Sequence, residues 1–131
     1  MNQNLLRQYT EERFKTNWTY TSIKFENRDF TPIINSPYIE FSIEPEESIQ
    51  IGLPQAPMFR HTGLLVFEIY IPTNTGTYSL RSYIDNIAKL FVGQQFNNIT
   101  CRSLNSQKIG KIGEWYLTVV FVEYYYDSVI E

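Results

Sequence analysis

Glu40, Glu44 and Glu68 project from the polar faces of two alternating segments, and Glu46 and Glu47 follow the first of these directly. Paired carboxylates can exchange protons with a substrate or hold a divalent cation, so chemistry would be sought here first. The same spacing is the ordinary product of amphipathic strands, whose alternate residues meet water. A third reading makes the set the negative lining of a channel. His61 and Cys101 are the one histidine and the one cysteine. A cysteine–histidine pair would activate a nucleophile, yet no spacing brings these two together. A buried thiol and a loop imidazole are the plainer reading. Single copies also exclude an intrachain disulfide framework, a multi-cysteine metal site and a histidine-built zinc centre. Gly110-Lys111-Ile112-Gly113 lacks the long spacing and the Ser or Thr of a phosphate cradle. Lys108 and Lys111 read as a solvated turn before they read as an anion site. The residues therefore offer little catalytic chemistry, and no cofactor is implied.

The composition narrows the class. A chain of 131 residues is read as a single domain, 1–131, long enough to bury about two-thirds of its unfolded surface. Eleven basic against fourteen acidic side chains leave no positive stripe for reading a nucleic-acid sequence. No apolar run approaches the roughly 20 residues of a membrane span, and the polar start Met1-Asn2-Gln3-Asn4 is not a signal peptide. A reducing, cytosolic place of synthesis follows. Aromatics reach 16%, ten of them tyrosines, and tyrosine suits interfaces as well as core margins. This favours an assembly protein.

The elements that position these residues are read from periodicity. Gly63 to Pro72 is a strand with Leu65, Phe67, Ile69 and Ile71 on one face and Leu64, Val66, Glu68 and Tyr70 on the other. After a polar turn, residues 77–92 form a helix with an apolar stripe of Leu80, Tyr83, Ile84, Ile87, Ala88 and Phe91. Thr75 or Thr77 caps its start and Gly93 its end. Strand face and helix stripe are each other's nearest partner, and that unit organises the fold. Residues 4–16 read as a helix capped by Asn4, and residues 20–25 as a short strand. Tyr38 to Glu44 is a strand with Ile39, Phe41 and Ile43 on one face, ended by Pro45. Residues 45–60 form a long excursion with three prolines and apolar Ile49, Ile51, Leu53 and Met58. Ile99 to Leu104 is a strand, 105–113 a turn or arm, and Trp115 to Tyr126 a final strand apolar on both faces, hence central or doubly covered. Tyr124-Tyr125-Tyr126 reads either as core margin or as contact surface. The sum is an α+β fold, a mostly antiparallel (mixed) sheet with the two helices packed on one face.

The order and spacing of several short motifs carry a resemblance over nearly the whole chain. A short strand ends at an asparagine-marked turn, Ile23-Lys24-Phe25-Glu26-Asn27. A proline–tyrosine strand start follows, Ser36-Pro37-Tyr38-Ile39-Glu40-Phe41. Next come Arg60-His61-Thr62-Gly63-Leu64-Leu65-Val66, the Ile71-Pro72…Gly76 turn, the helix end Leu90-Phe91-Val92-Gly93, and Gly113-Glu114-Trp115-Tyr116. In this layout the chain resembles the tail-terminator-like proteins of long, non-contractile-tailed bacteriophages, the family that includes the lambda-type tail terminator. Residues 127–131 lie outside the match.

The resemblance implies a structural virion protein, not an enzyme. It would form a ring, six-membered in this family, on the head-proximal end of the tail tube, after assembly in the host bacterial cytoplasm. Its partners would be other copies of itself, the tail tube protein and the head–tail connector proteins, with DNA passing through the lumen unread. Ile49, Ile51, Leu53, Met58, Lys108, Lys111, Tyr124 and Tyr126 are then candidate inter-subunit or tube contacts. Glu40, Glu44 and Glu68 become candidates for the lumen wall, where negative charge keeps DNA from sticking. Two other readings stand beside it: another tail or neck component, and a small ligand-binding or hydrolytic α+β domain using the strand-face carboxylates.

Overall fold

The computed structural model describes residues 1–129. Its elements run α1 (Gln3–Asn17), β1 (Ser22–Phe25), β2 (Tyr38–Gln50), β3 (Phe59–Pro72), α2 (Tyr78–Phe91), β4 (Gln95–Phe96), β5 (Ile99–Ile112) and β6 (Trp115–Ser128). The strands form one six-stranded sheet in the order β1-β2-β3-β6-β5-β4. Among the described residues only the β1–β2 pair is parallel. The architecture is α+β, with a mixed, mostly antiparallel sheet.

Both helices pack on one face of this sheet. Leu6, Phe14 and Trp18 from the α1 side meet Leu80, Ile87 and Phe91 of α2 over Ile39, Phe41, Leu65, Phe67, Ile69, Val120 and Val122. The expected apolar faces of the Gly63–Pro72 strand and of the 77–92 helix thus bury each other. Arg13 ties the helices together: its Nε donates to the Leu90 carbonyl at 2.9 Å. That carbonyl lies in the last turn of α2, where helical partners run out. The α1 cap is Asn2, not Asn4. Its side chain accepts from the Leu5 amide at 2.9 Å, whereas Asn4 accepts from Arg7 further along. Thr77 occupies the N-cap position of α2 without a side-chain cap bond; the Thr75 hydroxyl donates to the Pro72 carbonyl instead.

Two strands run further than their sequence patterns suggest. Pro45 does not end β2. The ladder with β3 continues through a register shift between Pro45 and Glu47 to Gln50↔Phe59. Proline is tolerated here because β1 covers β2 only at Tyr38–Phe41, leaving this part of β2 at the sheet edge. The 45–60 excursion is therefore a hairpin arm. Likewise 105–113 is not a free turn: β5 pairs with β6 as far as Ile112↔Trp115. This half of β5 is exposed on both faces and shifts register between Lys108 and Gly110, so it lacks the alternation that would mark a strand. The connection is only Gly113-Glu114, and Gly113, at φ 59, takes the left-handed conformation that a two-residue hairpin turn needs.

β3 and β6 occupy the centre of the sheet, as the apolar character of both faces of β6 requires. Gly63 pairs with Tyr124 and lies under its ring. A Cβ there would sit 2.5 Å from the Tyr124 hydroxyl oxygen and 2.7 Å from the Glu44 carbonyl oxygen. Gly63→Ala is expected to destabilise by about 1–3 kcal/mol, since overpacking must push backbone or a buried ring aside. Urea unfolding checks this, and an unchanged midpoint would contradict the tight approach.

Candidate assembly surface

The hairpin arm is ordered by its own bonds. The Ile51 and Gly52 amides donate to the Met58 carbonyl at 2.7 and 3.2 Å, and the Ala56 amide to the Leu53 carbonyl at 2.9 Å. Its apolar side chains nevertheless face water: Ile49 and Ile51 are each 48% exposed, Leu53 72% and Met58 37%. Neighbouring exposed apolar residues on a hydrogen-bonded arm are the usual mark of a contact surface. Along β5 the Lys108 and Lys111 side chains are exposed, with Ile109 and Ile112 exposed beside them.

Tyr124 and Tyr126 sit elsewhere. They are 0% and 2% exposed, stacked at 6.4 Å within the helix-side core. As contact residues they are corrected: the pleat turns both inward, while Tyr125 between them faces out. Burial pushes the Tyr124 hydroxyl well above its ordinary pKa, helped by Tyr126 and Glu46, and its oxygen has no hydrogen-bond partner among the described residues. Tyr125 is flanked by the Arg60 and Arg102 guanidinium groups, each 4.3 Å from its ring centre. Arg60 also forms a two-bond fork with Asp127, at 2.9 and 3.1 Å. That hydrogen bonding holds the Asp127 carboxyl below its usual range.

Glu40 and Glu68 face each other across β2 and β3 on the helix-free side of the sheet. Lys24 of β1 bonds Glu40 at 3.1 Å, and the Tyr70 hydroxyl donates to Glu68 at 2.8 Å. Tyr70 stacks on Tyr38 at 4.5 Å, and Trp115 packs edge-on against Tyr38. Next to them Val66, Leu117 and Val119 form a small second core. This cluster turns two of the three candidate lumen carboxylates to local work; of the three, Glu44 is the exposed one.

Burial is the main cause that raises the Glu68 carboxyl; the Tyr70 hydroxyl lowers it, and Glu40 raises it again. The folded chain thus holds this proton more tightly than the unfolded chain. The resulting stability is complete below the ordinary value of 4.5 and lost as pH rises through the raised one. Glu68→Gln keeps an acceptor for Tyr70 and removes the charge. Its thermal midpoint, relative to the parent chain, is expected to climb as pH rises from 4 to 7. A difference that stays flat or falls would contradict the assignment.

His61 lies in β3, not in a loop, and is buried. Its Nδ1 meets the Ser48 hydroxyl at 2.6 Å and its Nε2 the Ser128 hydroxyl at 2.7 Å, with the ring stacked on Tyr126 at 4.7 Å. Serine occupies both sides, so the carboxylate that would orient a serine–histidine relay is not its partner. The group stitches β2, β3 and β6 together at the foot of the arm. It borders an open cleft of about 630 Å³ whose walls include the first three residues of the chain. Cys101 pairs with Tyr124 instead of approaching His61, and burial pushes its thiol up to about 12. Such a thiol is unreactive at neutral pH. Among the described residues no cluster of His, Cys, Asp or Glu could hold a metal, and no helix is long and apolar enough to cross a membrane.

A family model described as phage tail terminator protein matches residues 5–124. The chain belongs to that family. Phage tail terminators are structural proteins, so the chain is a tail component of the virion and is associated with the tail tube. The match begins inside α1 and ends inside β6, with the elements between them covered whole. A solved structure whose only name is a sequence identifier is similar over 100% of this chain and 99% of its own, with a TM-score of 0.72 and 18% identity. At that identity the likeness speaks for the fold alone. No curated protein matches this chain.

Proposed function

We propose that this chain acts, as one domain, as the ring that closes the head-proximal end of a long non-contractile tail. By closing a six-membered ring on the last layer of tube protein it ends polymerisation and offers the head connector a docking surface. It does so by binding, without turnover. The observation that carries this reading is the family match over residues 5–124. The arm supports it, since Ile49, Ile51, Leu53 and Met58 are exposed there and available to a neighbour. A ring needs contacts that differ on the two flanks of each copy, and the sheet has unlike edges, an acidic arm on one side and a lysine-bearing strand on the other. Glu44 remains a candidate for the lumen, together with whatever charge Glu40 and Glu68 keep.

The test uses purified chain added to polymerising tail tube protein. Tubes should stop at the length reached on addition, each with a ring of density at one end by electron microscopy. Tubes that grow on unchecked, with no end density, would contradict the proposal. Capped tubes that fail to bind heads would divide the role, leaving the docking surface to another neck protein.

A further inference from the structure

We infer that neighbouring copies join by continuing the sheet, the open edge of β2 in one copy pairing with the open edge of β5 in the next. The inference rests on the ring reading above and names the contact that would close it. Each edge is covered over only part of its length. β1 protects β2 at Tyr38–Phe41, and the Glu26 carboxylate accepts from the next outward amide, that of Ile43, at 3.4 Å. Beyond this the edge runs open to Gln50. On the other side β4 pairs with Thr100 and Ile99, and Gly93 and Gln94 bond Cys101. From there β5 is open to Ile112.

The two open stretches have opposite charge. Glu44, Glu46 and Glu47 stand on the β2 edge, and Lys108 and Lys111 on the β5 edge. Each stretch also carries half-exposed apolar side chains, Ile49 on one and Ile109 and Ile112 on the other. An exposed edge is normally an aggregation hazard, blunted by prolines, bulges and charges. Here the charges do something more selective: like edges repel, unlike edges attract, and only a head-to-tail contact is favoured. Because successive antiparallel pairs separate β2 from β5, the two strands run in opposite directions. An unflipped neighbour therefore continues the antiparallel ladder. The open stretches lie toward opposite ends of the sheet, since β2 is open beside the end of β6 and β5 beside its start. Pairing them staggers adjacent copies, and a staggered sheet closes with its strands tilted to the axis.

The test compares tails from phage carrying Glu46→Lys/Glu47→Lys, Lys108→Glu/Lys111→Glu, or all four changes together. Each pair alone is expected to lower ring occupancy on tail ends at least tenfold with the melting temperature of the isolated chain unchanged. The fourfold variant, with both edges reversed, should recover it. Full occupancy in either pair, or no recovery in the fourfold variant, would overturn the edge pairing. Electron cryo-microscopy of the unaltered ring decides independently of any variant. β2 and β5 of neighbours about 4.8 Å apart support the inference, and a ring whose edges stay apart refutes it while leaving the terminator role intact. Tails with no ring of this chain would refute both.

Discussion

Phe14→Ala is expected to cost about 3–5 kcal/mol, the range for removing a buried aromatic ring that its surroundings cannot refill. Phe14 is wholly buried. Its ring lies 5.1 Å from Trp18, 5.8 Å from Phe41, 5.1 Å from Phe67 and 6.2 Å from Phe91. One side chain thus touches partners from β2, β3, α2 and the end of its own helix. Four rigid rings cannot close around an alanine without moving α1 off the sheet, so a cavity should remain. Against a total stability of about 5–15 kcal/mol for a domain of this kind, that is a large share. Urea unfolding provides the number. A loss below about 1 kcal/mol would mean that α1 is not held by this ring.

The second large effect concerns function and should leave the fold alone. Ile51→Ser with Leu53→Ser removes two apolar side chains from the arm, both outside the core. If they are buried against a neighbour, each contributes about 1.5 kcal/mol or more. Their joint loss, about 3 kcal/mol, weakens the contact more than about a hundredfold. Tail capping should fall accordingly, with circular dichroism and melting temperature unchanged. Capping at the parent level would remove the arm from the interface. A lowered melting temperature would show that the arm supports the protomer itself.

These two cases mark where the sequence was legible. The Phe14 environment was largely readable, because it rests on periodicity. Ile39 and Phe41, Leu65 to Ile71 and the α2 stripe all recur at strand or helix spacing. The Leu117/Val119 and Val120/Val122 faces of β6 likewise implied a central strand. In the sequence the arm reads as an excursion because Pro45, Pro54 and Pro57 look like breakers. At an uncovered edge, however, a proline costs the ladder nothing, and edge position is a property of topology. The 105–112 stretch carries no strand signal because it is exposed on both faces and so has no apolar alternation, and a register shift between Lys108 and Gly110 interrupts it. β4 is too short, at two residues, to show a strand pattern, although Asn97 and Asn98, both at positive φ, mark the tight turn that creates it. The inward direction of Tyr124 and Tyr126 follows from register with Gly63 and His61, which composition does not carry. His61 itself gave no sign of its two serines, thirteen and sixty-seven residues away.

The most direct test of the central claim is tail length, measured by electron microscopy in particles from the source phage with this gene deleted. The account predicts overlong tubes without heads, because no ring would stop the addition of tube protein. Tails of normal length joined to heads in infectious particles would contradict it.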